Sequence, residues 1–376
     1  MNANSQKEII NAATIKVSWL AIAAIVFAIL GPAFFFISII LNSLSILACL
    51  GICFSITAPL LGITSFIRIE KNGGEITGRN FSLLSIIIPI FAGLFLVVYF
   101  MFFANRSVAY RIACGSNLTT IGRAMIIYAG DFNDDFPRAG GKNSTWGSSV
   151  KWNAATRKEA YNMDDNGENG SATISSSLYL LMEYGASPKY FVCPRDRKVS
   201  EFYPISAVDR ILKRKNQRRK KRENEIMSFF DFGPEPWKHN SYAYHMPYGQ
   251  YPVTDTRQPT MAMIADRNPW IPSLGWEENG FSLFSPDSDK SSKKYGNTTC
   301  HEYEGQNVLY VDLHVSFETK SFCGTNEDNI YTSWNGSDIH KGIKPEVRNN
   351  PDFYYNYIEP ASKTDSLLLN DPPIKK

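Results

Sequence analysis

Three apolar stretches without one Asp, Glu, Lys or Arg fill most of the first 103 residues: Val17–Ile40, Leu44–Ile67 and Phe81–Phe103. At 24, 24 and 23 residues, each is long enough as a helix, at about 1.5 Å per residue, to cross a hydrocarbon core of about 30 Å. A cleavable signal peptide carries a shorter apolar region of about 7–15 residues, whereas here a second span follows the first after only three residues. The pattern predicts a multi-pass anchor carrying one large polar portion.

Charge orients the anchor. Lys7 and Lys16 precede the first span, and the gap Arg68–Asn80 holds Arg68, Lys71 and Arg79. Positive charge marks the cytoplasmic side, so the N-terminus and this gap are expected inside and residues 104–376 outside. Arg106 and Arg111 do not reverse the assignment, because long domains translocate largely regardless of charge.

Lys213–Arg222 carries eight basic residues in ten: Lys213, Arg214, Lys215, Arg218, Arg219, Lys220, Lys221 and Arg222. The rest of the polar portion is mildly acidic, with 26 basic against 33 acidic residues. A solvated loop is the expectation for such a run; an envelope-binding module attracted to anionic headgroups is the functional alternative. Nucleic acid is not an expected partner, because export would separate the run from it. Cys114, Cys193, Cys300 and Cys323 are an even set compatible with disulfides in an oxidising compartment. Four cysteines allow three pairings, and the residues alone leave all three open.

Beyond the third span, Cys114, Leu118, Ile121, Met125 and Tyr128 recur at spacings of 4, 3, 4 and 3. That is one apolar stripe on a helix, with Asn117, Thr120 and Arg123 turned away from it. The third span is therefore expected to continue as one long helix to about Gly130, where "GDFNDDFPR" supplies breakers. A short helix is expected at Ile174–Tyr184, a strand at Met261–Ala265, and the clearest strand at Asn307–Phe317. There Val308, Tyr310, Asp312 and His314 share one face, and Leu309, Val311, Leu313 and Val315 the other. The tail 341–376, ending "DPPIKK", is expected to be poorly ordered.

Residues 17–95 resemble a small bacterial membrane module, through "LGITS" (Leu61–Ser65) and "RIEKNGGEITGRN". Residues 81–340 resemble pseudopilin-like proteins with a prepilin-type H-x9-D-G motif, abundant in planctomycete-type bacteria and related to type II secretion. "CGSNLTTIGRAMIIYAGDFNDDFP", "YFVCPRD", "SYAYHM", "HEYEGQNVLYVDLHV" and "DNIYTSW" stand in the family's order. Two departures accompany the likeness. His301 and Asp312 are separated by ten residues, and Leu313 replaces the motif's glycine, which argues for a plainer strand or a shifted bulge. The processing site G-F-T-L-I-E reads "GRNFSLLS": Asn80 stands before Phe81 where the glycine belongs, and Ser85 replaces the glutamate.

The resemblance implies an α+β architecture. Two transmembrane helices (residues 1–80) would precede a third, at 81–103, that becomes a long pilin-like helix packed on a small antiparallel sheet in a head spanning 104–340. It favours a Cys114–Cys193 disulfide stapling helix to head; Cys300–Cys323 is the second expected bridge. It further implies a bacterial cytoplasmic membrane, an extracytoplasmic head, and a structural or interaction role with the bilayer and other pseudopilin-like or secretion-system proteins as partners. Processing at Asn80–Phe81 is expected to be lost. No catalytic residue, cofactor or resident metal is expected. The competing expectation is an exported metal-dependent enzyme built on His301, Asp312 and His314.

Overall fold

The computed structural model describes residues 16–40, 46–72, 76–203, 228–272, 280–288, 293–334, 336–346 and 358–373. The chain divides into two compact units, Met1–Arg106 and Ser107–Lys376.

The first unit contains β1 (Lys16–Val17), α1 (Trp19–Ile40), α2 (Ile46–Lys71), β2 (Ile76–Thr77) and the start of α3 (Arg79–Asp131). Two stretches among the described residues are long and apolar enough to cross a membrane, Cys49–Lys71 and Arg79–Val98; the described apolar part of α1, Trp19–Phe35, is shorter. Two of the three expected spans thus meet the length criterion. The gap expected at Arg68–Asn80 is narrower than its charges suggested. Helix α2 runs on through Arg68 and Lys71, and Ile76–Thr77 then pairs in parallel with Lys16–Val17. Small residues let α1 and α2 approach closely, as packing between apolar helices requires. A Cβ on Gly51 would lie 2.9 Å from the Gly31 carbonyl, and one on Gly31 would lie 2.5 Å from Ser55 Oγ.

Helix α3 is the secondary-structure element common to both units, 53 residues long. In the second unit its stripe is buried as expected: Cys114, Leu118, Ile121 and Met125 are fully covered and Tyr128 nearly so. Two short strands, β3 (Thr145–Trp146) and β4 (Ser171–Ala172), pair in parallel. The stripe packs on an antiparallel sheet of β5 (Tyr242–His245), β6 (Ala262–Asp266), β7 (Gln306–Tyr310), β8 (Val315–Glu318) and β9 (Leu368–Leu369), five strands in the order β8-β7-β6-β5-β9. Alternation sorts the side chains. Tyr242, Tyr244, Leu309, Val311, Leu313 and Val315 join the helix stripe in one core, while Ala243, Val308, Tyr310 and Leu368 join Trp270, Phe284 and Tyr331 in a second. Gly122 earns its place in the helix by proximity: a Cβ there would lie 3.1 Å from both Leu309 methyl carbons.

The single strand expected over Asn307–Phe317 is a hairpin. Leu313 N–H donates to the Tyr310 carbonyl at 2.9 Å and Tyr310 N–H to the His314 carbonyl at 3.1 Å. Leu313 itself takes the left-handed conformation, at φ 69°, which the motif's glycine would adopt without strain. Leu313 thus corrects the expectation of a plainer strand: its side chain packs on the α3 core, and that burial offsets a backbone cost of about 1–2 kcal/mol.

The tail expectation is also corrected. Residues 358–373 belong to the fold, with Leu368 and Leu369 paired to His245 and Tyr244. Leu367, Leu368 and Leu369 are fully buried, a burial that the surrounding Asp, Asn and Pro disguised in the sequence. Residues 174–184, expected as one helix, split into α-helix Ile174–Tyr179 and a 3-10 turn Leu180–Tyr184 that stops at Gly185, φ 88°. The Thr173 hydroxyl caps the helix, and the Asp371 carboxylate accepts from Ile174 N–H (3.0 Å), Ser175 N–H (2.7 Å) and Trp146 Nε1 (3.0 Å). Asp371→Ala leaves those buried donors unmatched and is expected to lower the unfolding free energy by roughly 2–4 kcal/mol in a denaturant titration. The exposed Lys363→Ala serves as control, with a change within about 0.5 kcal/mol.

Candidate functional site

The motif blocks that stand far apart in sequence meet at one buried point. Cys114 on α3 and Cys193, just past the 3-10 turn Pro188–Phe191, form a disulfide closing 79 residues. Such a crosslink stabilises by about 4 kcal/mol on chain-entropy grounds. Three residues along α3, Asn117 donates from Nδ2 to the Val192 carbonyl at 3.0 Å and to the Tyr242 hydroxyl at 3.4 Å. Asn117 is therefore half-buried and engaged, a correction to its expected outward position. A carboxamide one turn from the stripe was the available signal.

His301 lies beside the disulfide, with its Nε2 3.7 Å from Cys193 Sγ, 3.2 Å from Asp266 Oδ2 and 3.2 Å from Asn307 Nδ2. Asp266 ends β6 and takes the Asn307 N–H at 2.7 Å on that same oxygen, while its buried Oδ1 has no hydrogen-bond partner among the described residues. The next residue, Arg267, lies 3.7 Å from Asp196 and donates to the carbonyls of Trp237 (2.6 Å) and Asn240 (3.1 Å). Phe317 meets His301 edge-on, and the Arg111 guanidinium lies 4.1 Å over the Phe317 ring. His301, Asp266, Asp196 and Arg267 are all at least 95 % covered. The cluster is buried, and its hydrogen bonds knit helix, sheet and loops together.

The expected grouping of His301 with Asp312 and His314 does not occur. Asn307, which touches His301, and Tyr310, on which His314 stacks, stand near opposite ends of β7, about 10 Å apart at ~3.3 Å per residue. Asp312 and His314 bond to each other in the exposed hairpin turn, and the His314 ring stacks on Tyr310 at 4.3 Å. His314 borders an open polar cavity of about 410 Å³ with Gln258, Thr260, Tyr310, Cys323 and Thr325. The Cys300–Cys323 pairing is also corrected. Both are free thiols: Cys300 points to Asp196 Oδ2 at 3.7 Å and Cys323 to the Ser321 carbonyl at 3.7 Å. Burial pushes both thiols up. The basic residues 213–222 lie outside the described residues.

No protein-family profile, curated protein or solved structure matches the chain.

The processing residues are folded into α3. Asn80 and Phe81 are exposed in its first turns, whereas Ser82 and Ser85 are buried. Ser82 Oγ donates to Ser65 Oγ at 3.0 Å, Ser65 lies 3.3 Å from Ser18 Oγ, and Ser85 Oγ donates to the Ser82 carbonyl at 2.8 Å.

Away from the disulfide, buried carboxylates hold the C-terminal segment. Burial first, then the neighbouring Asp371 charge, pushes Asp231 up to about 7, against hydrogen bonds from Thr173, Phe232 N–H and Ser175. Asp328 and Asp365 form a second pair raised by burial, with mutual repulsion adding on Asp328. His245 is fully buried. It accepts the Leu367 N–H at 3.3 Å on Nδ1 and faces the Tyr251 carbonyl through Nε2 at 3.2 Å, and desolvation pushes it down to about 4.

The folded state holds protons on Asp231 and the Asp328–Asp365 pair more tightly than the unfolded chain does, so their contribution is lost as pH rises through the folded values. His245 acts oppositely, costing stability as pH falls below its unfolded value of about 6.5. The melting temperature of the full chain is expected to fall by several degrees between about pH 6.5 and about pH 9, and Asp328→Asn, which removes the group raised to about 9, to flatten that fall. An unchanged slope in the variant contradicts the assignment.

Proposed function

We propose that this chain is a resident, membrane-anchored pseudopilin-like protein of a bacterial cytoplasmic membrane, structural or interactive rather than enzymatic, with its head outside. The observation that carries the reading is the state of the segment Gly78–Ser85. A prepilin-type peptidase needs a backbone bond free to leave its helix at the start of the third span. Here Asn80–Phe81 sits in a helical turn whose neighbours are held by the buried Ser18–Ser65–Ser82 hydroxyl chain. The residues that would mark the bond, a glycine and a glutamate, are Asn80 and Ser85. Cleavage would also discard both helices that precede it. A protein so anchored is suited to hold a position in the envelope rather than to be drawn into a fibre.

The convergence of the family-like blocks supports the same reading. Cys114, Asn117, Cys193, Asp196, Tyr242 and His301 come from four separate motifs and gather around one disulfide. That role is structural, and it accounts for those residue types without a reaction. Partners are then expected among other pseudopilin-like or secretion-system proteins and the bilayer itself.

N-terminal sequencing of the protein isolated from its membrane tests this. The expected result is a chain still carrying residues ahead of the first span; a mature end at Phe81 contradicts it.

A further inference from the structure

We propose that the disulfide position doubles as a metal site: with Cys114 and Cys193 reduced, their thiolates join His301 and Asp266 to bind a zinc-class divalent cation. The four donors, two sulfurs, an imidazole Nε2 and a carboxylate oxygen, lie within 4.8 Å of one another and are all buried. A tetrahedral zinc ion with bonds of about 2.0–2.3 Å sets its ligand atoms about 3.3–3.8 Å apart. Cys193 Sγ and His301 Nε2 are already 3.7 Å apart, and His301 Nε2 and Asp266 Oδ2 3.2 Å. Opening the disulfide lets the two sulfurs separate to fit the rest of that geometry.

A second, independent feature points to a cation. Asp266 is fully buried, and its Oδ1 has no hydrogen-bond partner among the described residues. A buried carboxylate oxygen left unmatched is destabilising, and a cation beside it removes that cost. Asn307 already orients the other oxygen through its N–H and Nδ2, at 2.7 and 3.2 Å, as outer-sphere partners do for metal-ligating carboxylates.

The chemistry balances with a dithiol reductant. The dithiol delivers two electrons and two protons to the Cys114–Cys193 bond and itself closes to a disulfide. Each cysteine thiol then releases its proton to solvent as its sulfur takes the metal. A disulfide oxidant reverses the step: it takes two electrons and two protons to become a dithiol, the Cys114–Cys193 bond re-forms, and the ion, having lost two of its four ligands, leaves. The site is closed, with no open position, so its ion holds structure instead of activating water. It keeps helix, sheet and loop joined wherever the cysteines remain thiols.

The full-length protein in detergent, reduced with a phosphine and freed of excess reagent, provides the test, with cobalt(II) as the optical probe and zinc for X-ray absorption. The reduced chain is expected to bind one ion with thiolate-to-metal charge-transfer absorption, and the oxidised chain none. His301→Gln and Asp266→Asn are expected to weaken binding by at least about tenfold, and Cys300→Ser to leave it unchanged. X-ray absorption on the wild type needs no variant and should show sulfur and nitrogen or oxygen neighbours in equal number. Equal uptake by oxidised protein, no uptake by reduced protein that keeps its helical circular dichroism, or a shell without sulfur would overturn the proposal.

Discussion

Burial of one stripe of α3 is the interaction on which the second unit depends. Cys114, Leu118, Ile121 and Met125 are fully covered, and each large apolar side chain so placed contributes about 1.5–3 kcal/mol. The stripe also fixes geometry. Gly122 brings the helix backbone onto Leu309 and Leu313, so the hairpin of β7 and β8 is held against the helix on one face while Val308 and Tyr310 fill the second core behind it. A sheet covered on both faces needs every strand, which is why β9, from the far C-terminus, is part of the same body.

Polar groups then follow from what this packing encloses. Loops that cross the ends of the helix and sheet carry backbone and side-chain donors out of water, and each must find an acceptor. Asp371 answers the first amides of the short helix at Ile174. Asp266, Asn307 and His301 answer one another around the disulfide. The cost appears as carboxylates pushed above their ordinary range at Asp231 and Asp328. The site is thus enclosed by the packing, and its burial separates it from the exposed Asp312–His314 turn.

Much of this was legible in the sequence because periodicity reports burial directly. The 4-3-4-3 spacing identified the α3 stripe, and strict alternation sorted Leu309 and Val311 from Val308 and Tyr310. What escaped depends on contacts between distant segments. Leu367–Leu369 is three residues long, too short for periodicity to separate strand from tail. His245 gave no sign of burial because its partner, Leu367, lies in that segment. Asn117 looked like a solvent-facing residue until Val192 and Tyr242 supplied its bonds. Leu313 misled for a different reason: backbone strain argued against a turn there, and a side chain packed on α3 outweighed it.

Hydrogen exchange of the α3 amides in the full chain, in detergent and with the disulfide intact, tests the central claim most directly. If the stripe is the spine of the second unit, amides of Leu118–Met125 exchange only with global unfolding, as slowly as those of β6 and β7. Exchange there on the timescale of exposed loops, while the sheet stays protected, would show that the sheet stands without the helix and would contradict the account.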